Sequence, residues 1–177
     1  MIGKATLSVF LVWVIAAGCS AQRPVWSADV RELTISHGGG GLGPPFVATP
    51  ECPAEHVEYK LSVEHRQLDA SRCWATDAAG QPLPLQHTVA LHAITQPELD
   101  ALVPELEALH VVEGGLCGAD RPAVTLTVTT ASDTTLYADS FYAGCDQPSN
   151  DHRPAVDYAS LDAVEAALRQ LAFSAPP

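Results

Sequence analysis

Basic residues are scarce in this chain of 177 residues, which has 9 lysines and arginines against 21 aspartates and glutamates. The formal net charge is −12. A nucleic-acid partner requires a basic face that neutralises its phosphates, so the composition argues against nucleic-acid binding. It also disfavours electrostatic adhesion to an anionic lipid surface. We interpret the acidic excess first as a source of solubility and second as an acidic recognition surface.

Several signatures of catalysis and metal binding are also missing. The sequence has no G-x-S-x-G nucleophile motif, no H-E-x-x-H zinc motif and no pair of cysteines at C-x₂₋₄-C spacing. His87 and His92 lie five positions apart on a predicted strand, which places them on opposite faces. The acidic run 146–151 lacks the central glycine of an EF-hand loop. We therefore expect neither a metal ion nor another cofactor.

The N-terminus carries an export signal. Lys4 precedes an apolar run over residues 5–17 that is too short to span a bilayer as a helix. The run leads into the tetrapeptide AAGC, which resembles the lipobox of bacterial lipoproteins, with Ala16 where leucine is more common. The resemblance implies lipidation of Cys19. Because Ser20 follows and not aspartate, it also implies an outer-membrane location, facing the periplasm or the cell surface.

Cleavage before Cys19 divides the chain into a signal peptide (1–18), a lipidated tether (19–30) and one domain (31–177). The tether is polar and has little pattern. The remaining length suits a single domain. The lipid anchor is then the expected membrane contact. An ordinary A-x-A-type cleavage, which releases a free periplasmic protein, stays open as the alternative.

The cysteines that follow Cys19 are even in number, and in an exported chain this predicts disulfides rather than free thiols. Four cysteines allow three pairings. We expect Cys52 to pair with Cys73, and Cys117 with Cys145, because each bond closes a short loop flanked by strand-like sequence. Two disulfides are therefore predicted.

The hydrophobic pattern predicts strands and helices in a definite order. Alternation predicts strands at 30–35, 57–63, 124–129 and 134–142, with weaker candidates at 71–76 and 88–93. Thr95 and Glu98 have the spacing of a capping box at the start of a helix, which Pro104 should bend or split in two. A second helix should begin near Ser160. The order predicts a single α+β domain with a mainly antiparallel sheet, two helices and two disulfides.

The stretch ISHGGGGLGPPF, residues 35–46, matches two catalytic signatures by spacing alone. Its glycines fit a G-x-G-x-x-G dinucleotide loop, but two prolines follow where that loop requires a helix. It also contains the HGGG of some esterase oxyanion holes, but the chain lacks their nucleophile motif. We interpret the glycines as a wide turn or a binding loop that uses backbone freedom. They are Gly38, Gly39, Gly40, Gly41 and Gly43.

The same interpretation assigns no role to the histidine that precedes the glycines. If backbone freedom is the function of the stretch, the side chain of His37 should be dispensable. We therefore expect it to behave as an ordinary surface residue.

A longer segment resembles a family of protease inhibitors. Residues 117–145 read CGADRPAVTLTVTTASDTTLYADSFYAGC and look like the second disulfide-bonded hairpin of the subtilisin-inhibitor-like family. The stretch LTISHG at 33–38 is similar to the first strand of that family, and the order of elements is similar to emfourin-type inhibitors. The resemblance implies a protease-binding loop formed by Gly118, Ala119, Asp120 and Arg121.

These observations favour a function without catalysis. We expect a membrane-anchored lipoprotein that binds another protein, either a protease or a protein of the cell envelope. Two alternatives stay open: an enzyme whose site is assembled only in three dimensions, and a structural lipoprotein of the envelope.

Overall fold

The computed structural model describes residues 23–38, 46–75, 83–115, 123–141 and 153–173. Two helices lie within them, α1 (Gln96–Ala108) and α2 (Tyr158–Phe173). The strands, in chain order, are β1 (Arg23–Pro24), β2 (Val30–Gly38), β3 (Phe46–Val47), β4 (His56–Ser62), β5 (Gln67–Trp74), β6 (Leu83–Pro84), β7 (Gln86–Ala93), β8 (His110–Val112), β9 (Val124–Thr130), β10 (Thr134–Asp139) and β11 (Ala155–Val156).

Most of these strands belong to one sheet in the order β1-β8-β11-β10-β9-β2-β4-β5-β7. Its neighbouring pairs are antiparallel except β10 with β11, and β3 pairs with β6 in a separate parallel ribbon. The two helices contact each other and share one hydrophobic core with one face of the large sheet. The predicted α+β class and mainly antiparallel sheet are therefore confirmed.

The alternation of β4 shows how the sequence specifies the two faces of the sheet. Val57, Tyr59 and Leu61 are buried under the helices, and Glu58 and Lys60 lie on the opposite, open face. β9 has the same alternation, and β2 pairs with both β4 and β9. An antiparallel sheet with one covered face requires this pattern. The predicted strands at 57–63 and 124–129 and the β9–β10 hairpin are confirmed.

Several strands are longer than their local pattern predicts. β2 continues to Gly38 instead of ending at residue 35, and β5 and β7 begin at Gln67 and Gln86. Pairing explains the extra residues, because β2 stays paired with β4 as far as Gly38, and β5 and β7 pair with each other from end to end. Ladder hydrogen bonds stabilise positions whose own side chains carry no strand signal.

Helix α1 begins with the predicted capping box. The Glu98 carboxylate accepts a hydrogen bond from the Thr95 backbone N–H at 2.8 Å, and the Thr95 hydroxyl accepts one from the Glu98 N–H. Pro104 lies inside the helix, which nevertheless runs unbroken to Ala108, so of the two expected effects the split into two helices does not occur. The buried side chains of Leu102 and Leu106 hold both sides of the proline against the core.

Helix α2 begins at Tyr158, two positions before the predicted start. Asp157 caps it, since its carboxylate accepts the Ser160 backbone N–H at 2.9 Å. Leu161, Val164 and Leu168 are fully buried and form the predicted inward stripe.

The main core lies between the helices and the covered face of the sheet. Full burial of an aliphatic side chain contributes roughly 1.5–3 kcal/mol, so this layer holds the helices on the sheet. Its largest fully buried aliphatic side chains are Leu33, Ile35, Leu61, Leu68, Leu106, Leu109, Leu126, Leu161 and Leu168.

A disulfide joins Cys52 to Cys73, as predicted, and packs with Ala75 and Leu85 in a second, smaller core. Cys117 and Cys145 lie outside the described residues, so their pairing stays a prediction. The described parts of the chain therefore contain one disulfide and not two.

The segment predicted as a tether packs in part against the domain. β1 pairs with β8, and the Val25 N–H donates to the Leu109 carbonyl at 3.0 Å. Val25 is buried in the main core. Residues 1–22, which include the predicted signal peptide and Cys19, lie outside the described residues. None of the described helices is both long and apolar enough to cross a membrane.

Candidate functional site

A row of side chains from three neighbouring strands borders the main core. His37 of β2 pairs with Val57 of β4, which pairs with Arg72 of β5. Residues paired directly across a sheet project to the same face, here the face that the helices cover. The next row inward contains Tyr59, which is fully buried. Polar groups therefore replace aliphatic ones where the covered face reaches the edge of the core.

Helix α2 turns this row into a pocket of about 250 Å³. We call it the Arg72 pocket. Glu165 of α2 lines this pocket together with His37, Val57, Tyr59, Arg72, Trp74 and Arg169.

Glu165 is the central acid of the pocket, with a side chain that is 9% exposed. Its Oε1 accepts a hydrogen bond from Arg169 Nη2 at 2.9 Å and lies 3.3 Å from His37 Nε2, which donates to it. Burial by itself would raise the pKa of Glu165, but the hydrogen bond from His37 and the charges of His37 and Arg169 together lower that pKa below its usual value. Glu165 is therefore an ionised carboxylate at neutral pH.

Tyr59 lies at the floor of the pocket. Burial raises the pKa of its hydroxyl, although a hydrogen bond with Arg169 acts in the opposite direction. Tyr59 is therefore a neutral hydrogen-bonding group at neutral pH. Its ring also makes an edge-to-face contact with Phe173, with the centroids 6.4 Å apart.

Arg72 is held by stacking. Its guanidinium carbon lies 4.4 Å from the centroid of the Phe173 ring, a cation–π contact. Among the described residues, no acceptor forms a hydrogen bond with its N–H groups. The guanidinium is thus held over the ring of Phe173 and also lines the pocket.

The charges of the pocket are unbalanced. Two guanidiniums, those of Arg72 and Arg169, and the imidazole of His37 surround the single carboxylate of Glu165. His37 and Glu165 resemble two members of a catalytic triad, but the lining residues include no serine, threonine or cysteine that could act as a nucleophile. The arrangement is suited to binding an anion.

The expectation that His37 is an ordinary surface residue is wrong. Its side chain is 12% exposed and bonded to Glu165, which is distant in sequence. The signal was present in the chain, because the alternation of Leu33 and Ile35 continues to His37 on the covered face. The signal was missed because the strand was predicted to end at residue 35, before His37. Glu165 and Arg72 carried no comparable signal, since only tertiary packing brings them together.

The other predicted site residues lie elsewhere. Gly38 is the last residue of β2 and pairs with His56. The remaining glycines of the stretch (Gly39, Gly40, Gly41 and Gly43) and the candidate loop (Gly118, Ala119, Asp120 and Arg121) lie outside the described residues. Their proposed roles stay predictions.

The histidines of β7 occupy opposite faces, as predicted. His87 Nε2 lies 3.2 Å from Ser71 Oγ on the open face, and His92 Nε2 lies 3.1 Å from Glu98 Oε1 beside α1. Among the described residues, no three histidine, cysteine, aspartate or glutamate side chains are grouped to hold a metal ion.

Strand β7 forms an edge of the large sheet within the described structure. The Ile94 N–H donates to the Arg66 carbonyl, which fixes the alternation of the β5–β7 ladder. By that alternation, the backbone groups of every second residue point away from β5. These residues are His87, Val89, Leu91 and Ala93. We call their outward backbone groups the β7 edge.

A shallow groove of about 410 Å³ runs along the open face beside this edge. Val89 and Leu91 border it and are 69% and 73% exposed. Glu58 and Asp69 also line it, together with Lys60. The Lys60 ammonium is bonded to Glu32 at 2.9 Å, and this hydrogen bond raises the pKa of Lys60. The groove therefore combines an apolar border with a lining in which two acidic side chains outnumber one lysine.

Comparison with known proteins assigns no family, because no protein-family model matches the chain and no curated protein is significantly similar to it.

Proposed function

We propose that this chain is an exported bacterial lipoprotein, anchored in the outer membrane through Cys19, whose domain binds an extended segment of another protein along the β7 edge. The domain acts by binding and not by catalysis. The observation that carries the proposal is a strand that pairs on one side alone within the described residues, beside two exposed apolar side chains, Val89 and Leu91.

Most edge strands are protected against association. Short length, prolines and charged side chains are the usual devices, because unpaired backbone groups recruit other strands. β7 has none of these: it spans eight residues, QHTVALHA, without a proline or an acidic or basic side chain other than histidine. A strand of this kind on an exported protein fits a site where a partner adds a strand.

The charge of the groove indicates which segment fits. Glu58 and Asp69 line it, and the whole chain is strongly acidic. A second copy would bring the same acidic groups together, which is unfavourable. The expected occupant is therefore an extended segment whose every second residue lies on the open face, where an apolar residue packs beside Val89 and Leu91 and a lysine or arginine two positions away reaches toward Asp69.

A labelled octapeptide with valine and lysine taking turns at the odd positions and threonine at the even positions tests the proposal by fluorescence anisotropy with the full-length protein in detergent. Leu91→Lys should weaken binding at least about tenfold, because it places a cation where an apolar side chain docks. Leu136→Lys is the matched control, since Leu136 is also exposed on the open face but lies on the interior strand β10. It should leave binding unchanged.

Methylation of the peptide nitrogens that face β7 provides the second arm, because it removes the N–H donors to the carbonyls of the β7 edge and places methyl groups against them. Binding should then disappear. Equal binding of the methylated peptide, or an equal loss in Leu136→Lys, would overturn the proposal. A dimer in sedimentation that Leu91→Lys dissociates would assign the edge to a second copy instead of a partner.

The anchor is tested separately by intact mass of the mature protein. We expect an acylated N-terminal Cys19, and Cys19→Ala should release the protein from the membrane fraction. An unmodified N-terminus at another residue would contradict the anchor and leave the binding proposal intact.

A further inference from the structure

We propose that the Arg72 pocket binds a small organic anion, which presents a carboxylate to Arg72 and Arg169 and an apolar body to Val57 and Trp74. This site lies on the helix-covered face, whereas the groove beside the β7 edge lies on the open face. The two proposals therefore rest on different residues, and either can fail without the other.

The first support is the state of Arg72. Stacking on Phe173 holds its guanidinium at 4.4 Å from the ring centroid, and no described acceptor engages its N–H groups. A guanidinium presents paired donors that match the two oxygens of a carboxylate. Because the Phe173 contact already restricts the side chain, a ligand loses little of the binding energy to ordering it.

The second support is the distribution of charge. Glu165, the sole carboxylate in the lining, already accepts hydrogen bonds from His37 and Arg169. Arg169 is 55% exposed, so its remaining donors are accessible to a ligand. A cationic ligand would face two guanidiniums, whereas an anion would gain from both. A cationic pocket in a chain of net charge −12 is the opposite of what the composition alone produces.

The third support separates an organic anion from an inorganic one. Val57 and Trp74 form an apolar side of the pocket, and Trp74 is 43% exposed there. Burial of its indole against an apolar or aromatic ligand body is favourable at roughly 25 cal/mol per Å². The volume, about 250 Å³, lies below the usual range for drug-sized ligands and fits a small carboxylate.

Isothermal titration calorimetry of the full-length protein in detergent tests the proposal with three probes. Benzoate carries the carboxylate and an aromatic body, inorganic phosphate carries only the charge, and benzylammonium reverses the charge. We expect benzoate to bind with a dissociation constant in the millimolar range or below, as a ligand of that size allows. Phosphate and benzylammonium should each bind at least about tenfold more weakly.

Arg72→Gln should weaken benzoate binding by about tenfold or more. Arg31→Gln removes an exposed guanidinium from the same sheet and should have no effect, which also controls for partition of benzoate into detergent. Because loss of the Phe173 stack can unfold the domain, Trp74→Phe is a second variant. It keeps an aromatic side chain beside the pocket, so it should retain benzoate binding. In the parent, benzoate should change the tryptophan fluorescence through Trp74, and this change should be absent from Trp74→Phe.

Four results would overturn the proposal. Phosphate binding as tight as benzoate would show a simple anion site in which the apolar wall has no part. Equal binding of benzylammonium would show that charge does not select the ligand. No heat of binding from benzoate, or an unchanged fluorescence response in Trp74→Phe, would remove the pocket as the site.

Discussion

Replacing Glu165 by glutamine tests the energetic role of the buried carboxylate. The substitution keeps the size of the side chain and one carbonyl oxygen, and it removes the negative charge that faces His37 and Arg169. His37 and Arg169 then have a weaker acceptor. We expect Glu165→Gln to lower the free energy of unfolding at neutral pH.

The magnitude follows from the exposure of each partner. Arg169 is 55% exposed and four residues from Glu165 on the helix, so that pair contributes only about 0.3–0.5 kcal/mol. His37 is 12% exposed, and a hydrogen bond to a charged group in such surroundings contributes about 1.5–3 kcal/mol. Glutamine retains part of the second interaction. The expected loss is therefore about 1–2 kcal/mol.

The pH dependence has a definite sign. Although burial acts in the other direction, the interactions with His37 and Arg169 lower the pKa of Glu165 in the folded state. A lowered folded pKa contributes stability above the unfolded pKa, and that stability is lost as the pH falls through the folded value. The difference between parent and Glu165→Gln should thus be complete at neutral pH and should shrink below about pH 4.

Urea unfolding followed by tryptophan fluorescence provides the measurement, with Glu107→Gln as the control. Glu107 is exposed on α1, so its variant should stay within about 0.5 kcal/mol of the parent. A double-mutant cycle with His37→Ala should give a coupling energy of about 1 kcal/mol. A Glu165→Gln variant as stable as the parent, or a coupling energy of zero, would refute the reasoning.

Two other features of the fold lead to stability predictions. Joint replacement of Cys52 and Cys73 by alanine should cost about 3 kcal/mol, because the bond closes a loop of sequence separation 21. Thermal unfolding of the variant should show a lowered Tm, and an unchanged Tm would contradict the estimate. Pro104→Ala should stabilise the domain by about 1–3 kcal/mol in urea, because it restores a hydrogen-bond donor inside α1. A Pro104→Ala variant less stable than the parent would show that contacts of the proline ring stabilise the domain more than the restored hydrogen bond does.

The local elements were predictable because short-range patterns carry them. The alternation at 57–63 predicted β4, and the spacing of Thr95 and Glu98 predicted the start of α1. The short loop between Cys52 and Cys73 predicted their disulfide. Each of these features depends on residues that are close together in the chain, so the local sequence pattern is enough to predict it. Pro104 does not split α1, because tertiary burial of its neighbours outweighs the local cost of a proline.

The sequence by itself determined the class of fold, the acidic character of the protein and which face of each main strand is buried. Only the tertiary structure decided the order of the strands, and that order leaves β7 at an edge. The Arg72 pocket also required it, because His37 and Glu165 are separated by 128 positions. Hydrophobic periodicity shows which face of its strand or helix a residue occupies, but not which residues lie opposite it in the fold. A site built from residues that are distant in sequence therefore cannot be predicted from periodicity.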